Sequence, residues 1–346
     1  MLLFGGLFLF VWAEWGRTSP PPAGVTPVAG ASLSHEPITA PSFAPWEPSG
    51  KTRLQTLRES TKRLVHLQLP MEETEPGDWL SAHHEDGQSF EQYIRSKPVR
   101  AGKKRNCIYV LPIGSFTQAQ HEVVEKTIEF MALFFGLPVK VMEHLDASVV
   151  PESERRVFSA SGEQQLYTGY ILSKVLRPRL PDDAVCAIAL TAMDLWPGDG
   201  WNFVFGEAML KGRVGVWSIN RFGDPSKSPA DYRTVLMRTM KTATHETGHM
   251  FSIEHCIAWR CNMNGCNNMS ESDSTPLWLC AECQAKVFWA THADPVKSME
   301  GMAAFFEREG FAVEAEVARK STEVFRTLFV EQDKTEPSQP EQHPQQ

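Results

Sequence analysis

Residues 245–263 read HETGHMFSIEHCIAWRCNM, and residues 280–283 read CAEC. Residues four apart on an α-helix share a face, so His245 and His249 of the HExxH core present two imidazoles to one ion. Glu246 sits beside the first of them, placed to contact a water on that ion without ligating it. His255 follows six residues after His249. A continuing helix would rotate it by about 600° and carry it about 9 Å along the axis. It therefore joins the other two only if the helix ends in between and the chain turns back. Glycine is the usual residue for such a turn because it accepts φ > 0 freely. This chain has Ser252 there, and a non-glycine residue in the left-handed region costs roughly 1 kcal/mol.

The cysteines cluster around the same segment. Cys107 and Cys186 stand alone, whereas Cys256, Cys261, Cys266, Cys280 and Cys283 fall together. A disulfide framework in so long a chain would spread its bridges, and clustering beside histidines points to metal. A pair of disulfides is the other reading. HETGHMFSIEHCIAWRCNM followed by CAEC resembles the archaemetzincin family of zinc metallopeptidases. That family's signature is HExxHxxGxxHC, four residues and a further Cys, a nearby Met, and a closing CxxC. The resemblance covers roughly Asn106 to Lys286, with Trp201 to Gly206 also similar to the family. Ser252 in the Gly position is the one departure in the core motif.

The resemblance implies a catalytic zinc on His245, His249 and His255. Three neutral imidazoles leave a fourth position open for water, and Glu246 is then the general base that deprotonates it for attack on a peptide carbonyl. Met263 matches the methionine that packs beneath the site without ligating. Cys256, Cys261, Cys280 and Cys283 would hold a second, structural zinc in a closed four-thiolate shell. Because Cys256 adjoins His255, that zinc would tether the third catalytic ligand and offset a strained turn at Ser252. Cys266 is read as a partly buried bystander, and Cys107 and Cys186 as core residues.

Outward from this segment the chain is α/β. The apolar runs Cys107–Leu111, Leu137–Met142 and Ala184–Leu190 read as strands, and Gln118–Phe135 as a helix stopped by Gly136. Tyr167–Val175 reads as helical. Trp201–Phe205 and Val214–Ile219 read as extended, flanking a Lys211-Gly212 turn, and a long helix begins near Pro229. The alternation implies a mostly parallel twisted sheet, which with the resemblance gives an α/β (α+β) metzincin-like zincin domain over 100–286. An N-terminal extension (51–99) precedes it. A helical C-terminal extension (287–331), broken near Asp294-Pro295, and a disordered tail (332–346) follow. Residues 1–50 are expected to be an apolar start and a Pro-rich disordered linker, with eight prolines between Pro20 and Gly50.

Among 346 residues the net charge is −8 and the pI about 5.8, which excludes a nucleic-acid partner held by counterion release. A mean hydropathy of −0.28 and the lack of an 18-residue apolar run exclude a membrane span. Met1–Trp12 is apolar but too short to cross a bilayer, so a cytoplasmic location is expected, with export or tethering the alternative. His83-His84, beside Glu85 and Asp86, reads as a polar surface loop, and His121 and His144 have no partners at useful spacing. The Trp196–Gly200 turn borders the expected cleft. The run containing Trp217 is, by analogy with metzincins, the edge strand that pairs with extended substrate. The expected function is zinc-dependent peptide hydrolysis with two zinc ions per chain and a peptide or protein substrate. The rivals are a catalytically silent, zinc-stabilised interaction module and a hydrolase of non-peptide amides. The sequence says nothing of oligomeric state.

Overall fold

Cys107–Ile113 and Ala184–Thr191 are buried almost throughout, as strands covered on both faces must be. In the computed structural model, which describes residues 7–12 and 50–333, they are central to a nine-stranded mixed sheet. The strands are β1 (Leu7–Trp12), β2 (Leu69–Pro70), β3 (Cys107–Ile113), β4 (Val139–Val141), β5 (Arg155–Val157), β6 (Gln164–Tyr167), β7 (Ala184–Thr191), β8 (Asp194–Trp196), β9 (Phe203–Met209), β10 (Val214–Ser218) and β11 (Trp259–Arg260). The sheet order is β4-β3-β7-β10-β9-β8-β6-β5, with β1 on β9, while β2 and β11 form a separate ribbon.

The sheet is parallel from β4 through β10. It turns antiparallel at β9, which the short Leu210–Arg213 connection joins to β10. So short a loop can only make a hairpin, since a parallel return needs a crossover of a dozen residues or more. The expected mostly parallel sheet thus describes one half, and the other half is mixed. Strands β5, β6 and β8 are three or four residues long and carry no buried apolar run that would announce them.

The helices are α1 (Gly50–Arg63), α2 (Trp79–Ala82), α3 (Phe90–Arg95), α4 (Gln118–Phe135), α5 (Thr168–Tyr170, continued as a π-helical stretch to Leu176), α6 (Pro229–Met250), α7 (Met269–Ser274), α8 (Ala281–Thr291), α9 (Pro295–Glu309) and α10 (Ala312–Asp333). Strand residues alternate between two cores. Ile108, Val110, Ile188, Leu190, Phe205 and Trp217 face α4, α6 and the C-terminal helices. Leu111, Ala187, Ala189, Val204 and Val216 face the Ile171–Leu176 side.

The first of these cores does not stop at residues 100 and 286. Leu57, Leu64 and Tyr93 of the N-terminal extension join it, as do Phe305, Phe306 and Phe325 of the C-terminal helices. Helix α8 runs straight through the boundary drawn at 286, and α10 continues into the expected tail as far as Asp333. Within the apolar start, Leu7–Trp12 is paired as β1 rather than unstructured. The Pro-rich linker, residues 13–49, and residues 334–346 lie outside the described residues. No helix among the described residues is long and apolar enough to cross a membrane.

Candidate metal centre

Helix α6 carries the HExxH segment. Ser228 caps its start by accepting from the Asp231 amide, and Pro229 stands in the first turn, where no amide is needed. Its second half, from Thr239 onward, is buried beneath β9 and β10. Two glycines allow that packing. A Cβ at Gly206 of β9 would lie 2.7 Å from the Glu246 carboxylate, and one at Gly248 would lie 2.7 Å from Met263 Sδ. Met263 therefore packs against α6 at Gly248, between the two histidines.

The helix ends where the sequence requires. Ser252 has φ = 67°, and the Ile253 amide donates back to the Gly248 carbonyl at 3.2 Å, closing a Schellman-type turn. The strain at Ser252 is offset locally. Its hydroxyl donates to Leu210 O (3.0 Å) and accepts from Val99 N (3.1 Å). These two bonds support the turn without the tether expected from Cys256.

The turn brings His255 back to His245 and His249, and one ligand nitrogen from each lies within 4.8 Å of the others. All three rings are buried and held from behind. His245 Nδ1–H donates to Asn262 O and His249 Nδ1–H to Ile253 O, both at 2.7 Å. His255 Nδ1 is 2.7 Å from Glu85 Oε1. With protons fixed on Nδ1, the Nε2 lone pairs of His245 and His249 face one another at 2.9 Å, which a shared cation makes favourable. Burial and the neighbouring imidazoles hold His245 well below its ordinary pKa and His249 down to about 3. Both rings are thus neutral, the ligating form.

Glu246 is buried, and neither carboxylate oxygen has a hydrogen-bond partner. Burial, and then the nearby Glu207, push its pKa well above the carboxylate range. Glu207, itself buried, is pushed up to about 7 by desolvation despite the hydrogen bond it accepts from Thr168. An unsatisfied buried carboxylate is expensive, so Glu246 fits a site that supplies its partner only when loaded.

The four sulfurs of Cys256, Cys261, Cys280 and Cys283 also lie within 4.8 Å of one another. All seven cysteines are free thiols, and Cys256 Sγ and Cys280 Sγ are 3.7 Å apart. A disulfide would need about 2.0 Å, whereas tetrahedral thiolates around zinc stand about 3.8 Å apart. Amides of Met263 and Cys280 point at Cys261 Sγ, and that of Cys283 at Cys280 Sγ. The donor set fits zinc and not a pair of disulfides. Cys266, Cys107 and Cys186 are buried and belong to neither group.

An open cleft of about 620 Å³ leads to His255, lined by Trp79, His83, Glu85, Trp201 and Glu254 among others. Trp201 reaches it from the end of the Trp196–Gly200 turn. Trp217 does not reach it. Its strand, β10, lies between β7 and β9, and its side chain is in the core. The strand beside the site is β9, the next one along. His121 and His144 flank Phe116 and join neither metal group. In the expected polar loop, His84 and Asp86 are exposed as read, but Glu85 turns inward onto His255. Only its place in a His/Glu/Asp-rich stretch hinted at this.

The family model for peptidase family M54 matches residues 116–288. Archaemetzincin-2 of Mus musculus is 33% identical over 74% of this chain and 79% of its own. The chain belongs to the archaemetzincin family. It is a zinc metallopeptidase. Archaemetzincin-2 of Homo sapiens is 31% identical over 81% of this chain and 85% of its own. Human archaemetzincin-1 is 28% identical over 61% of this chain and 48% of its own. Among solved structures, archaemetzincin from Archaeoglobus fulgidus is 28% identical (TM-score 0.42), aligning over 52% of this chain and 99% of that one. That from Methanopyrus kandleri is 26% identical (TM-score 0.44), over 54% and 95%.

Proposed function

We propose that this archaemetzincin hydrolyses peptide bonds at a zinc ion held by His245, His249 and His255, with Glu246 as general base. Cys256, Cys261, Cys280 and Cys283 would hold a second, structural zinc. The observation that carries the reading is Glu246 itself, a buried carboxylate whose oxygens have no hydrogen-bond partner, beside three clustered imidazoles. Bound zinc supplies Lewis acidity towards a peptide carbonyl and towards water.

The chain's own groups do the rest. The Nδ1–H bonds to Asn262 O and Ile253 O fix two rings so that Nε2 faces the centre. In its ionised form Glu246, desolvated under Gly206, is a stronger base than an exposed carboxylate, so it would take a proton from the attacking water and pass it to the leaving amine. An extended peptide would lie along β9, whose backbone already accepts β1 as an antiparallel partner.

Cleavage of a mixed peptide library by the native protein and by Glu246→Gln tests the assignment. The expected result is cleavage that falls by about 10²–10⁴-fold in the variant, the usual contribution of a general base. Equal cleavage by both would remove Glu246 from the mechanism. The metal count is checked separately. Elemental analysis after metal-replete expression should give two zinc ions per chain, and Cys256→Ser and His249→Ala should each lose one.

A further inference from the structure

The third histidine differs from the first two. His245 and His249 lean on backbone carbonyls within the motif region, whereas His255 Nδ1 lies against a carboxylate oxygen, Glu85 Oε1. Glu85 belongs to the N-terminal extension, far from the motif in sequence and outside the segment that matches the family model.

Its position is constructed with care. Trp79 Nε1 donates to the same Oε1 at 3.0 Å, and the Trp79 ring stands edge-on to His255, centroids 5.1 Å apart. Trp79 is fixed in turn. Its amide donates to Glu271, and its ring fills the space over Gly265 that any Cβ would occupy. On the other side Gly87, at φ = 69°, lies against Ile257. Gln88 then donates to Ser252 O and accepts from the Glu254 amide, and its own carbonyl accepts from Lys286. The loop is thus fastened to both ends of the turn that carries His255.

We propose that Glu85 is the positioning residue for His255, holding the proton on Nδ1 and the ring at the angle that points Nε2 into the centre. A carboxylate accepting from a ligand's second nitrogen fixes the tautomer and raises the ligand's basicity. On this account the N-terminal extension completes the metal site that the peptidase motif begins. The inference rests on the reading of His255 as a zinc ligand.

The test measures zinc affinity by chelator competition in native protein, Glu85→Ala and Glu85→Gln, with no substrate present. Glu85→Ala should bind the catalytic zinc about 10–100-fold more weakly, the usual effect of losing such a partner, while the four-cysteine site stays loaded. Glu85→Gln keeps an acceptor oxygen and should lose only a few-fold. Native-like affinity in a folded Glu85→Ala overturns the proposal. Nitrogen-15 spectra of the histidines in the zinc-loaded native protein give a second readout that needs no variant. They should show His255 protonated at Nδ1 with its proton shifted downfield by the carboxylate, and an undisplaced proton overturns the proposal. Should the native histidine cluster bind no zinc at all, the ligand assignment fails, an outcome distinct from either of these.

Discussion

At Ser252 backbone strain and side-chain bonding oppose each other. The left-handed φ of 67° costs about 1 kcal/mol relative to glycine. The hydroxyl makes two hydrogen bonds, to Leu210 O and from Val99 N, each contributing about 1 kcal/mol net. The balance favours serine and explains why the turn forms without the family's glycine. It also fixes an order for two variants. Ser252→Gly relieves the strain but loses both bonds, for a loss of about 1 kcal/mol; Ser252→Ala keeps the strain as well, for about 2 kcal/mol. Urea unfolding of the zinc-loaded proteins checks the order, and a glycine variant more stable than the native protein would show that the hydroxyl contributes little. The φ problem was readable in the sequence, whereas its solution was not, because Val99 and Leu210 are distant in the chain.

Among the elements, the strands that were legible are those buried on both faces, β3 and β7, and those flanking the Lys211-Gly212 turn. Their apolar runs are long enough to stand out. The strand beside the site was placed one position away, at Trp217, because β9 and β10 are both buried and periodicity does not say which of them passes over Glu246. Pairing settles it. On β9, Phe203 to Met209 carry β1 in antiparallel register, with Phe10 opposite Gly206, the residue directly over Glu246. If peptide substrates use the same row of backbone groups, β1 competes with them. Removing residues 1–12 is then expected to lower KM for extended peptides several-fold with kcat and Tm little changed. An unchanged KM would place the substrate elsewhere in the cleft. Glu85 shows the complementary limit, since its role comes from a loop with no periodicity that reaches the site through tertiary packing alone.

For the whole molecule, the His and Cys clusters were readable because metal chemistry demands fixed residue types at fixed spacings, while the domain limits were not. The extensions looked separable because the motif region seemed complete in itself. In the fold, Cys256, Cys261, Cys280 and Cys283 belong to the same core as Leu57 of α1, Phe288 of α8 and Phe325 of α10. Cys280 also caps α8, its side chain accepting from the Cys283 amide, and Tyr93 of α3 donates to Phe251 O at the end of α6. The four-cysteine site therefore lies where the motif loop, the N-terminal extension and the C-terminal helices meet. Folding free energy at such a site includes the metal's binding free energy, on the order of 10 kcal/mol for structural zinc. Cys280→Ser removes one of the four thiols proposed to hold the structural zinc and weakens the α8 cap. In the intact cluster the Cys261 thiol is pushed well above the ordinary thiol range by burial, and the Cys283 thiol by its hydrogen bond with Cys256. The variant should lose several kcal/mol and unfold in a single transition, with hydrogen-exchange protection falling together in α1, α8 and α10. Loss of protection confined to residues 256–283, with the outer helices still native, would mean that the extensions hold themselves together without the metal.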